Sequence, residues 1–273
     1  MLKIKIPFDI NKINNTFLKI EKRVRFVISS LLLSFLMLFS TFFLFDKAWF
    51  FIPVLGLFAY VLTYFSIIES IEKSEWLTLF ILPVFFTISF YLFYFLFPVR
   101  WLTRVPFILI YGVSIYAMFL TSNILNVGVE KSLQLYRAAF SVNYFYQTVI
   151  VFLFSNILFS FRVNYLINAL GLGIVMLPLA IQLLWSIKLD LTLEKAIFLY
   201  AALISIIVAQ IALIVSFLPL KASLSALVVT ASYYSLSGLI NSYLDNRLFK
   251  QTIREYLFVW CFVLAIALLT LGF

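Results

Sequence analysis

The sequence of 273 residues contains nine stretches, each 18 to 25 residues long, that hold no charged residue. About 20 apolar residues in a helix, rising about 1.5 Å each, cross a hydrocarbon layer about 30 Å thick. The stretches therefore predict an all-α integral membrane protein, a bundle of about nine transmembrane helices. They span 26–45, 48–68, 76–99, 105–129, 138–161, 163–187, 196–220, 222–244 and 256–273.

Composition supports this class of protein. Hydrophobic residues make up 65% of the chain and charged residues only 11%, whereas a soluble domain carries about 25% charged residues. The stretches lack the alternation of polar and apolar residues that marks a membrane β-barrel, and they are about twice as long as a barrel strand. Helices, not strands, are therefore expected to span the membrane.

Orientation follows from the distribution of Lys and Arg. With a cytoplasmic N-terminus and nine crossings, 15 of the 20 basic residues fall on the cytoplasmic side, as the positive-inside rule requires. The C-terminus is then outside, and the remaining five basic residues lie there: Lys47, Arg100, Arg104, Arg162 and Lys221. Because no small-x-small cleavage site follows the first span, we expect an uncleaved first helix in the plasma membrane of a bacterium.

Two domains are expected: a basic cytoplasmic arm over 1–25 and a single transmembrane helical domain over 26–273. Apolar residues recur along one edge of the arm at Ile10, Ile13, Phe17 and Ile20. This spacing predicts an interfacial amphipathic helix whose lysines meet anionic lipid headgroups. The alternative is a flexible basic arm that only fixes the topology.

Two junctions contain one charged residue each, Arg162 and Lys221. A turn there must take residues from the long flanking stretches, and Asn164 and Pro219 supply turn chemistry. A re-entrant hairpin made of two half-spans is the competing interpretation.

The residue inventory excludes several chemistries. The chain has no histidine and one cysteine, Cys261, so an internal disulfide, a Cys/His zinc site, histidine-ligated haem and a Ser-His or Cys-His pair cannot form. We therefore predict no catalytic residue, no metal site and no cofactor. The net charge of +9 reflects topology, and without a soluble basic domain nucleic acid is not expected as a partner.

Three amides within the spans form a candidate intramembrane polar cluster: Asn156, Asn168 and Gln210. They lie at comparable depth in the fifth, sixth and seventh spans. Amides in hydrocarbon seek hydrogen bonds with one another, but a polar cavity for a substrate needs the same residues. The sequence thus leaves open whether they join helices or line a site.

Lys131 and Arg137 are candidate contacts for a phosphate or lipid headgroup. They belong to a polar junction that has the spacing of a short interfacial helix. An ordinary positively charged loop is the alternative interpretation.

Small residues predict which spans meet. Ser205, Ala209, Ala212 and Ser216 form a stripe on the seventh span, and the eighth span carries similar small residues. We therefore expect these two helices to pack together in the centre of the bundle. The first three spans, which are rich in Phe and Leu, are expected to form lipid-facing walls.

The second half of the chain resembles a bacterial family of multi-pass membrane proteins that is known only as a domain of unknown function. The resemblance rests on Glu130-Lys131, Leu135, Arg137-Ala138-Ala139, Ser216-Phe217-Leu218-Pro219, Arg247 and Glu255-Tyr256. It covers roughly residues 126–273, supports the topology and implies no activity. Arg137 and Glu255 are the positions it singles out for testing.

Two functional hypotheses follow. The first is a non-enzymatic membrane component, a scaffold or accessory subunit with an unknown membrane-protein partner, because the loops are short and no soluble domain is present. The second is a small-molecule transporter or lipid-handling protein with a polar site between helices 5 and 8. A membrane enzyme is less favoured, because few carboxylates are available for acid-base chemistry.

Overall fold

The computed structural model describes residues 20–42, 48–68, 75–98, 100–126, 134–189 and 193–271. These residues form nine α-helices and no strand, and all nine are long and apolar enough to span a membrane. The prediction of a helical bundle with about nine candidate spans is therefore confirmed for the described residues. In chain order the helices are α1 (Lys22–Ser40), α2 (Ala48–Ile67), α3 (Glu75–Tyr94), α4 (Trp101–Asn126), α5 (Gln134–Ser160), α6 (Tyr165–Lys188), α7 (Lys195–Val215), α8 (Ala222–Leu244) and α9 (Lys250–Leu269).

Full-length helices flank both short junctions. The helices α5 and α6, on either side of Arg162, have 27 and 24 residues, and α7 and α8, on either side of Lys221, have 21 and 23. The structure thus has no half-spans at these places. Asn164 caps α6, because its side-chain Oδ1 accepts a hydrogen bond from the Leu166 backbone N–H at 3.1 Å, as expected for a helix start.

Charged residues lie inside the ends of several helices, whereas the sequence placed all of them between the spans. Arg25 in α1 is only 1% exposed. Arg104 in α4 donates from Nε to the Tyr94 hydroxyl at 2.9 Å and from Nη2 to the Thr41 carbonyl at 3.1 Å. A long arginine stem can lie along apolar surface while its head finds polar partners. Arg104 thereby joins the ends of α1 and α3 to the start of α4.

The third helix lies deepest in the bundle. Of Leu77–Tyr94, 67% of the residues are buried, and Phe86 stacks on Tyr111 of α4 at a centroid distance of 5.9 Å. The expectation that the first three spans form outer walls is therefore wrong for the third. Aromatic side chains fill the interior as readily as they face lipid, so Phe content did not reveal the buried face.

The small-residue stripe of α7 faces α6. The Ser205 hydroxyl donates to the Gly173 carbonyl at 2.6 Å, and a Cβ added at Gly173 would lie 3.3 Å from the Ala209 Cβ. This close approach makes α6 a main neighbour of α7, where the sequence predicted α8. The helices α7 and α8 also contact each other, but α8 is the more buried of the two.

Candidate functional site

Four buried polar side chains near the centre of the bundle bind one another. Asn143 and Gln147 lie on α5, Gln182 on α6 and Tyr233 on α8, and each is at most 2% exposed. The Gln182 Nε2 donates to Asn143 Oδ1 at 2.9 Å, and the Asn143 Nδ2 donates to Gln182 Oε1 at 3.3 Å. The Tyr233 hydroxyl donates to Gln147 Oε1 at 2.7 Å. We call these four residues the amide network.

Every amide nitrogen and oxygen of the network has a partner within the protein. The Gln147 Nε2 donates both to Gln182 Oε1 and to the Leu179 carbonyl. Each polar atom of these amides is therefore already bonded within the protein, and a buried polar group that lost its partner would cost free energy. The network therefore joins α5, α6 and α8 and does not have the character of a ligand site.

None of these four residues was predicted from the sequence. Asn143 and Gln147 are four residues apart, which places them on the same face of a helix, and this spacing was the available signal. Which face of α5 turns inward could not be read from it, because polar residues occur on several faces of this helix.

The three predicted amides occupy different environments. Asn156 is buried and accepts a hydrogen bond from Ser160 one turn later at 3.2 Å. Asn168 is 4% exposed and donates to the Ser216 hydroxyl at 3.2 Å. Gln210 is exposed on the surface of α7. Because Ser205 and Ala212 form the buried face of α7, Gln210 points to the opposite side, and the structure does not bring the three amides together.

A cavity of about 610 Å³ lies where α5 ends, α6 begins, α7 ends and α8 begins. We call it the Arg162-end pocket. None of the described residues that line it is Asp or Glu, whereas two are basic. Its charged and polar lining residues are Ser160, Arg162, Asn168, Ser216, Lys221 and Ser225.

The wall and the rim of this pocket differ in character. Arg162 and Lys221 are exposed, and Arg162 adopts a left-handed backbone conformation with φ 50° in the turn after α5. Asn168 forms part of the buried wall, and its Oδ1 has no hydrogen-bond partner. Whichever way the amide is turned, only one of its two polar atoms meets Ser216. The unpartnered oxygen is itself buried, so what the pocket presents to a ligand is the positive charge of Arg162 and Lys221, which suits an anion.

A smaller cavity of about 200 Å³ lies at the other end of α5. Its lining includes Arg137, Asn241, Asp245 and Arg247. Asp245 pairs with Arg247 at 3.2 Å, and both side chains are substantially exposed. Since this carboxylate offsets one of the two cations, the cavity is less favourable for an anion than the Arg162-end pocket.

Of the two predicted headgroup contacts, Lys131 and Arg137, one lies among the described residues. Arg137 is exposed at the start of α5 and lines the smaller cavity, whereas Lys131 lies outside the described residues, as do residues 1–19 of the predicted arm. In the described ranges, no group of three or more His, Cys, Asp or Glu residues is placed to hold a metal ion. Cys261 is exposed on α9.

Comparison with known families decides where the chain belongs. The model of the family DUF5656, described as a protein of unknown function, matches residues 66–270. The chain belongs to the DUF5656 family. No curated protein and no solved structure shows significant similarity to it.

The DUF5656 region is longer than the sequence resemblance suggested. The expected membership of an uncharacterised family is confirmed, but the match begins near the end of α2 and not at 126. It includes the amide network and both cavities. Glu255, which the resemblance singled out, is exposed on α9 and accepts a hydrogen bond from Gln251 at 3.1 Å, and it lines neither cavity.

The amide network predicts the effect of removing one amide. We expect Gln147→Leu to lower the free energy of unfolding by about 1 to 3 kcal/mol, because Tyr233 and Gln182 lose buried partners. Thermal unfolding of the purified protein in detergent measures this change. Gln210→Leu is the matched control, since it removes an exposed amide and should leave the melting temperature unchanged. Equal melting temperatures for the two variants would contradict a structural role for the network.

Proposed function

We propose that this DUF5656 protein is a non-enzymatic, multi-pass membrane protein that binds an anionic ligand in the Arg162-end pocket. The observation that carries the proposal is the pairing of Arg162 and Lys221 around a cavity of about 610 Å³ whose described lining contains no carboxylate. The absence of histidine from the chain and of a carboxylate from this lining leaves no evident general base there, which favours binding over catalysis.

The location of the pocket follows from the expected topology. Arg162 and Lys221 are among the five basic residues that the positive-inside rule places outside. We infer that the ligand is met at the outer face of the plasma membrane. Binding is favoured over transport because the amide network lies along α5 between the residues that line the two cavities, and its polar groups are already bonded to each other.

Glycerol phosphate is a suitable soluble probe, because it offers a phosphate for the two cations. Isothermal titration of the purified protein should show saturable binding. Arg162→Gln combined with Lys221→Gln should weaken binding by roughly 30-fold, since each cation near an anion contributes about 1 kcal/mol.

Two controls make this titration specific. Glycerol lacks the charge and should not bind. Arg247→Gln removes a basic residue from the opposite end of the bundle and should leave the affinity for glycerol phosphate unchanged. Wild-type affinity in the double variant, or no binding by the wild-type protein, would refute the proposed function.

A role as an accessory subunit is the second candidate, and Gln210 is the observation that favours it. Its side chain is exposed, and the neighbouring exposed residues of α7 are the apolar Leu203, Ile206 and Ile214. An amide that faces hydrocarbon has no solvent partner, so a hydrogen bond to another membrane helix would stabilise it. This face of α7 is therefore the expected contact with a partner.

Cross-linking in native membranes tests the second candidate. A photo-crosslinking amino acid in place of Gln210 should give a discrete protein adduct, because a partner helix covers that face. The same amino acid in place of Leu170, which is 66% exposed on α6, should react with lipid only. Lipid adducts alone at both positions would count against a partner on α7.

A further inference from the structure

A third cavity, of about 170 Å³, adjoins the Arg162-end pocket along the side of the bundle. It lies between α7, α8 and α9, and we call it the α9 groove. Its lining is apolar apart from Ser232 and Trp260, and these two satisfy each other, because the Trp260 indole Nε1 donates to Ser232 Oγ at 2.9 Å. The groove therefore offers no free polar group and suits a hydrocarbon chain.

The groove and the pocket are neighbours that share three lining residues, Val215, Leu218 and Leu220. The basic rim thus lies beside an apolar groove, an arrangement that matches a molecule with a charged head and a hydrocarbon tail. A small soluble anion would occupy the pocket and leave the groove unused.

The dimensions of the groove agree with one leaflet of a bilayer. Along α9 it extends from Leu271 to Trp260, a rise of roughly 16 Å at about 1.5 Å per residue. Half of a hydrocarbon layer about 30 Å thick is about 15 Å. Ala267 is the buried residue that α9 contributes, so α9 is a peripheral helix and its groove adjoins the surrounding lipid.

We propose that the ligand is an anionic lipid, with its headgroup in the Arg162-end pocket and one acyl chain in the α9 groove. This inference rests on the proposed function and names the ligand class. Charge complementarity at the rim selects an anionic headgroup. The groove orients the lipid, because a chain in the groove passes beside Leu218, which also lines the pocket.

The test uses lipids with a photoreactive group in the acyl chain, incorporated into nanodiscs with the full-length protein. Phosphatidylglycerol and phosphatidylcholine probes with identical chains are compared by mass spectrometric mapping. The phosphatidylglycerol probe should label the α9 groove between Trp260 and Leu268 with a preference of about 30-fold, the value expected from two cations. In the double variant Arg162→Gln, Lys221→Gln, the preference for phosphatidylglycerol over phosphatidylcholine should disappear.

A groove-filling variant separates this inference from the proposed function. Ala267→Phe should abolish labelling of the groove while the binding of glycerol phosphate is retained. Ala265→Phe, on the exposed side of α9, is the matched control and should change neither. Leu264→Trp narrows the groove from its open side and replaces Ala267→Phe if that variant does not fold.

The outcomes are distinct. Equal labelling of the groove by both lipids, with glycerol phosphate binding intact, would overturn the lipid assignment and leave the proposed function standing. If the wild-type protein bound glycerol phosphate no more tightly than the variant that lacks both cations, the lipid assignment and the proposed function would both be overturned. Preferential labelling that persists after both cations are removed would overturn the headgroup assignment.

Discussion

Hydrogen bonds among buried amides hold the centre of this bundle together. In a bilayer, helices gain little hydrophobic free energy from contacting each other, so polar bonds and close packing of small residues decide which helices associate. Asn143, Gln147, Gln182 and Tyr233 supply the polar bonds between α5, α6 and α8. The contact of Gly173 with α7 supplies the close packing. These central contacts fix where the helix ends lie, and with them the cavities between the helix ends.

The same constraint supports the proposed position of the ligand. The amides at the centre are bonded to one another, to Tyr233 and to the Leu179 carbonyl, whereas Arg162 and Lys221 line a pocket at the end of the bundle whose described lining has no carboxylate. There Asn168 keeps one amide atom without a partner, and Arg162 and Lys221 lie in turns that cannot bury their charges. A ligand bound at such a place touches four helix ends and one lateral groove and does not need a path through the protein.

Helix number was predictable because charged residues are costly inside a membrane, so their positions mark the ends of the spans. Helix rotation was not predictable. A helix that is apolar on all sides has no preferred face, and so Gln210 was expected inside but is exposed, while Gln182 was overlooked although it is buried. The basic residues Arg162 and Lys221 were recognised only as turns, because their convergence depends on how four helices meet.

The most direct test of this account is a structure determined by electron cryo-microscopy in nanodiscs that contain phosphatidylglycerol. We expect Asn143 and Gln182 to contact each other with no water between them, and lipid headgroup density beside Arg162 and Lys221. A water-filled path past Gln182 that connects both ends of the bundle, together with an empty Arg162-end pocket, would contradict the account and would indicate a transporter.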